Sequence, residues 1–182
     1  VMQIGNIQLF PTDIFTFQFN FEEVKPLLDE VLSKEKEIKK ISKLYSGHGG
    51  IGVYSTDFNQ PVKLFEYEKL LQIVGNHFVN ARHKNFLLNN YWTAFYKKGG
   101  FHGKHIHSNF INGCDHNYSS VLYLTELGGT RFLSPNPTSI YNTAHIDSKV
   151  GLLIFFPSNL LHEAKMDQEG ERIIISSNVV IR

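Results

Sequence analysis

The chain has 182 residues, with 18 Lys and Arg against 17 Asp and Glu, nine His and one Cys; 42% are hydrophobic and 13% aromatic. That suits one compact domain, since single cores commonly take roughly 100–200 residues, and it carries too much apolar surface for a disordered chain. A net charge of +1 excludes a strong field for nucleic acid or anionic lipid, and the lone Cys114 excludes an intramolecular disulfide framework or a CxxC site.

Residues 1–20 read as extended. Ile4, Ile7 and Leu9 recur at short spacing, Phe10-Pro11-Thr12 makes a break, and Phe15, Phe17 and Phe19 alternate with polar residues. From Phe21 the period becomes helical: Phe21, Val24, Leu27, Leu28, Val31 and Leu32 form one stripe, with Asn20 as N-cap and Pro26 tolerable only near the first turn. The Lys/Glu run from Lys34 to Lys43 reads as the solvated end of that helix; Glu35 and Glu37 interrupt it as a basic patch. Gly47-His48-Gly49-Gly50 marks a loop, and Tyr67, Leu70, Leu71, Val74 and Phe78 predict a second helix ending near Ala81.

After residue 84 the pattern turns to β. Asn90–Tyr96, Ser120–Leu124, Thr130–Leu133, Val150–Phe156 and Arg172–Ile181 are short runs rich in aromatic or β-branched residues. Turn chemistry separates them at Gly99-Gly100, Gly128-Gly129, Pro135-Asn136-Pro137, Pro157-Ser158-Asn159 and Glu169-Gly170. With no internal repeat or Pro/Gly-rich linker, 1–182 reads as a single domain. An extended segment and supporting helices over 1–84 precede a mainly β core over 85–182, of the sandwich or jelly-roll type.

Four of the nine histidines fall between His102 and His116. Within Gly103-Lys104-His105-Ile106-His107, residues two apart on an extended strand share a face, so two imidazoles can meet one metal ion. Alone, such a pair reads better as two exposed histidines at a strand end. A third histidine changes that balance: the apolar strand Gly151–Phe156 closes at Pro157, and His162 follows where a returning strand would carry it opposite the pair. Arg172 then opens an otherwise apolar strand, sharing a face with Ile174, Ser176 and Asn178. A charge there either pairs with Glu169 or Glu171 at the rim or meets an anion.

In their order and spacing these residues resemble the Fe(II)/2-oxoglutarate-dependent oxygenases, whose double-stranded β-helix, a cupin-like jelly roll, carries HxD/E…H…R/K. Tyr96-Lys97-Lys98-Gly99 is similar to the Y-x-x-G segment of prolyl-hydroxylase-like members, and Gly128-Gly129-Thr130-Arg131-Phe132 to their G-G-x-x-F strand. Closer still is a family of small bacterial and phage 2-oxoglutarate/iron oxygenases, through five segments. These are Leu9-Phe10-Pro11-Thr12, H-x-H, Ser120–Leu124, F-P-S-x-L-x-H from Phe156 to His162, and R-x-x-x-S-x-N from Arg172 to Asn178. The resemblance covers about the last hundred residues well and the first ten or twelve loosely. It implies Fe(II) as the metal, 2-oxoglutarate and O2 as cosubstrates, and hydroxylation as the default outcome. Arg172 would pair with the distal carboxylate of 2-oxoglutarate, with Tyr96, Ser176 and Asn178 as further contacts.

One position departs from that family. The carboxylate expected two residues after the first histidine is His107. Three readings follow. His105, His107 and His162 form a three-histidine face, which the strand period favours; or Asp115 folds in from the 108–118 loop beside His107 and His162; or metal binding is lost and the fold serves as a metal-free binding or structural protein. A cupin-type isomerase or hydrolase is the rival enzyme, matched by Gly99-x5-His105-x-His107 and Gly151-x5-Pro157 but lacking the cupin glutamate.

Substrate choice is expected in the loops 108–118 and 134–148, the second holding His145 and Asp147 as surface residues. His48 and His102 are expected in Gly-rich loops, with His102 nearer the site, and Trp92 in the core. No apolar run reaches the roughly 20 residues of a membrane span, and no signal-peptide layout opens the sequence, so a cytoplasmic setting is expected. The Phe-rich first segment offers an apolar surface for a homo-oligomer.

Overall fold

A computed structural model describes residues 2–9, 12–45, 51–56, 62–81, 85–107, 117–135, 143–164 and 170–182. The first segment forms a hairpin, β1 (Gln3–Leu9) with β2 (Thr12–Gln18). Helix α1 (Phe21–Ser33) starts at a reciprocal capping box: the Asn20 side chain accepts from the Glu23 N–H, and the Glu23 carboxylate accepts from the Asn20 N–H. Pro26 sits past the first turn of α1 without ending it.

The Lys/Glu run is not the tail of α1. The chain turns at Lys34 and begins a second short helix, α2 (Glu35–Ile41), whose Ile38 is fully buried in the core. One apolar residue among charges sufficed to tuck α2 inward. A small hairpin follows, β3 (Lys43–Tyr45) and β4 (Ile51–Ser55), then α3 (Phe65–Asn80), which ends where its stripe predicts.

The rest is β: β5 (Phe86–His105), β6 (Tyr118–Tyr123), β7 (Gly129–Leu133), β8 (Thr143–Asp147), β9 (Leu152–Pro157), β10 (His162–Ala164) and β11 (Arg172–Ile181). All strand pairs are antiparallel, in the order β1-β2-β9-β6-β11-β5-β10-β7-β8, with β4 also on β5. Mainly β with flanking helices, the curled sheet is the expected jelly roll.

Two expectations change here. Gly99-Gly100 does not end a strand: β5 runs through it for 20 residues, Gly99 taking φ +74°. The first part of β5 pairs with β11 and its last residues with β10, so one strand serves both layers. The second change is β8, a strand lying inside what reads as the 134–148 loop; its alternating half-exposed pattern is too weak a signal beside the turn residues around it.

Period-2 alternation divides the apolar residues between two cores. Phe17, Phe95, Leu122, Leu153, Phe155, Ile173 and Ile175 face α1 and α3, where Phe17, Phe78, Phe86 and Phe155 pack with ring centroids 5.4–6.0 Å apart. Their neighbours Ile14, Ala94, Tyr96, Val121, Tyr123, Ile154, Phe156 and Ile174 face the other way, into the space between the layers. Helices therefore close one side of the larger sheet, and the opposite side is left to line a pocket. No helix among the described residues is long and apolar enough to cross a membrane.

Candidate metal centre and pocket

His105 closes β5, and its register partner is His162, the first residue of β10. His107 lies two residues past the strand end, where its N–H donates to the Ser158 carbonyl at 2.8 Å. Ile106 between them points out and is 47% exposed. The two-residue period thus holds even though only the first histidine belongs to the ladder. The three rings meet, with centroids 4.3 Å apart for His105–His162, 4.9 Å for His107–His162 and 5.0 Å for His105–His107. One ring nitrogen from each lies within 4.8 Å of the others, the only such cluster of three or more metal-ligating side chains among the described residues.

Which nitrogen faces inward follows from what the other one touches. Nδ1 of His105 lies 2.7 Å from the Gly103 carbonyl, and Nδ1 of His162 lies 2.8 Å from the Leu160 carbonyl. A carbonyl only accepts, so both Nδ1 atoms carry the hydrogen and both Nε2 atoms keep a lone pair. His107 is held instead by a side chain, its Nδ1 3.1 Å from Asn178 Oδ1. Burial, and secondarily the charge His105 would carry, hold the His162 pKa down to about 3. A neutral imidazole is what a metal requires, and three neutral nitrogen donors suit a divalent transition ion such as iron. On donor chemistry the residues fit.

These rings open on a small pocket in contact with solvent, lined also by Trp92, Tyr96, His102, Thr130, Ile174 and Ser176. No carboxylate lines it among the described residues. Trp92 belongs to this wall and not to the core, 5.3 Å from His107 between centroids. His102 stands on β5 and not in a loop, its Nδ1 3.0 Å from the Tyr96 hydroxyl. Reading Gly99-Gly100 as a turn hid that position; a strand continued through a glycine bulge brings His102 to the same pocket. Burial pushes the Tyr96 pKa up to about 12, partly offset by Arg172.

Arg172 is 2% exposed, which removes the rim position from consideration. Its guanidinium lies 3.9 Å over the Tyr96 ring, with Nη2 3.5 Å from the Gly100 carbonyl. Gly128, at φ +76°, makes room: a Cβ there would overlap the guanidinium. Arg172 shares the strand face of Ile174 and Ser176, at the Tyr96 end of the pocket behind that ring. Asn178, expected as a cosubstrate contact, is bonded within the protein. Its Oδ1 accepts from Ser119 at 2.9 Å and faces His107, while its Nδ2 donates to Asn90 Oδ1 at 2.9 Å. Asp115, Cys114, His48, His83 and His116 lie outside the described residues. His145 and Asp147 are exposed on β8, 2.8 Å apart.

No family model matches the sequence, and no curated protein does. Solved structures do. A prolyl-4-hydroxylase from Pseudomonas putida is 17% identical, with TM-score 0.66 over 93% of this chain and 92% of that one. A viral collagen prolyl hydroxylase from Paramecium bursaria Chlorella virus-1, in complex with 2-oxoglutarate, is 18% identical, with TM-score 0.60 over 97% and 94%. The chain has the fold of the 2-oxoglutarate/iron oxygenases. A non-heme α-ketoglutarate-dependent carbocyclase from nogalamycin biosynthesis shares it at 10% identity, TM-score 0.66, over 91% of this chain and 78% of that one. One fold therefore serves hydroxylation and ring closure, and it does not choose a substrate.

Proposed function

We propose that the chain is an Fe(II)/2-oxoglutarate-dependent dioxygenase with His105, His107 and His162 as its metal ligands. The observation that carries this reading is the shared orientation of the three imidazoles. Each turns Nδ1 to an oxygen, and one ring nitrogen of each lies within 4.8 Å of the others, on the wall of a pocket in an oxygenase fold. Bound iron would supply the redox chemistry, in which substrate-H, O2 and 2-oxoglutarate give substrate-OH, succinate and CO2.

The protein's own residues bind and orient. Three neutral ligands leave the charge of a divalent ion uncompensated, and no carboxylate lines the pocket among the described residues. A dianionic cosubstrate fits that imbalance. Arg172 holds a permanent, bidentate cation at the Tyr96 end of the pocket, where the distal carboxylate of 2-oxoglutarate would be drawn. Tyr96 and Ser176 offer hydroxyls along the way, and His102 fixes the Tyr96 phenol. Trp92 forms one wall of the pocket beside His107.

Anaerobic titration of the purified chain with Fe(II) and then 2-oxoglutarate tests this. A weak visible charge-transfer band is expected, lost in His162→Ala with the metal, and shifted to much higher 2-oxoglutarate concentration in Arg172→Ala with the metal retained. Absence of the band together with no conversion of 2-oxoglutarate to succinate sinks the reading. Metal binding without any 2-oxoglutarate affinity would move the assignment to a cupin-type metalloenzyme.

A further inference from the structure

His107 stands where the related enzymes are expected to place a carboxylate, and an imidazole differs from a carboxylate in needing a second partner. It has two nitrogens, and a ligand nitrogen is available only if the other one holds the hydrogen. His105 and His162 solve this with the backbone carbonyl two residues earlier in the chain. His107 has a side-chain partner instead, from a residue 71 positions away.

We propose that Asn178 is a positioning residue that fixes His107 as its Nδ1–H tautomer, turning the Nε2 lone pair into the site. The amide is itself oriented by a buried chain. Asn178 Nδ2 donates to Asn90 Oδ1 at 2.9 Å, which leaves Oδ1 as the atom facing His107. Ser119, fully buried, donates to the same Oδ1 at 2.9 Å, and its own Oγ lies 2.9 Å from Ser158 Oγ. Ser158 also accepts the His107 N–H through its carbonyl at 2.8 Å, so backbone and ring of His107 are held by one cluster. Asn178 is 7% exposed, on the strand face of Arg172 and Ser176 but at the opposite end from Arg172. An amide oxygen here suits an N–H and would repel a carboxylate oxygen. The acceptor at 178 and the imidazole at 107 make sense as one unit.

The proposal rests on the oxygenase reading only for what the Nε2 then binds. Long-range 1H–15N correlation on the full, metal-free chain at about pH 8, above the imidazole range, reads the tautomer directly. In the wild type His107 is expected as Nδ1–H. In Asn178→Ala the Nε2–H form should regain population, while Asn178→Asp, which keeps an acceptor, should restore Nδ1–H. Titration with Co(II), followed by its d–d bands, is the second readout. Asn178→Ala should bind about 10–100-fold more weakly, and Asn178→Asp at least as tightly as wild type. Should Asn178→Ala not fold, Ser119→Ala is the alternative, with a smaller shift in the same direction.

A wild-type His107 found as Nε2–H overturns the proposal. So does an Asn178→Ala chain with unchanged tautomer and unchanged Co(II) affinity. A wild type with His107 fixed as Nδ1–H that binds no Co(II) or Fe(II) instead sinks the oxygenase reading and leaves this one standing.

Discussion

An imidazole buried as deeply as His162 resists protonation, and that resistance costs the protein stability in acid. The unfolded chain takes a proton on this residue near its ordinary pKa of 6.5, whereas the folded chain refuses it until about 3. Between those values the unfolded state binds more protons, so stability rises with pH and falls on acidification. For the metal-free chain we predict a loss of up to about 1.4 kcal/mol per pH unit from this group as pH drops below 6.5. Urea melts of wild type and His162→Leu check it: the wild type should lose stability steadily relative to the variant from pH 7 toward pH 4. A constant difference would contradict the burial argument. Arg172 follows the opposite logic, staying charged whatever its burial.

At the scale of elements, local signals succeeded where one strand face or one helix stripe carried them. β11 has the limits its composition predicts, Arg172 to Ile181, because nearly every residue along it is buried. The three histidines were legible from a period of two and one turn. What escaped was whatever depended on a partner distant in sequence. Gly99 continues β5 because Gly52 and Gly100 pack backbone to backbone there, a contact invisible along either segment alone. Asn178 read as a cosubstrate contact because nothing local marks its bond to His107. The α1–α2 break escaped through Ile38, whose burial outweighs six polar or half-exposed neighbours. We predict that Ile38→Ala costs about 2–5 kcal/mol, far above the usual value for a surface helix, as measured by chemical denaturation. A change under about 0.5 kcal/mol would mean that α2 is only the solvated tail its charges resemble.

Across the whole molecule, the candidate centre joins β5 to β10, and so binds one layer's rim to the strand that carries the other. A ligand held by His105, His107 and His162 would bridge segments that are otherwise linked by a short ladder. By linkage, a metal present at a hundred times its dissociation constant adds about 2.7 kcal/mol to folding. For a chain of this size that is roughly 5–10 °C in melting temperature. Differential scanning fluorimetry with Co(II) or anaerobic Fe(II) should show the rise, chelation should reverse it, and His162→Ala should abolish it. An equal rise in that variant would place the metal elsewhere.

The place of β11 has a consequence for how the protein comes into being. It lies between β6 and β5, though both precede it in the chain. Until residues 172–181 leave the ribosome, β5 and β6 each present an open edge and an uncovered apolar face, the condition under which nascent β proteins pair with the wrong neighbour. Helices α1 and α3 are made early and can shelter one of those faces. On the pocket side no helix does so among the described residues; the cover there is the smaller layer of β7, β8 and β10, so the face that will hold the histidines is closed by strands made after β5 and β6.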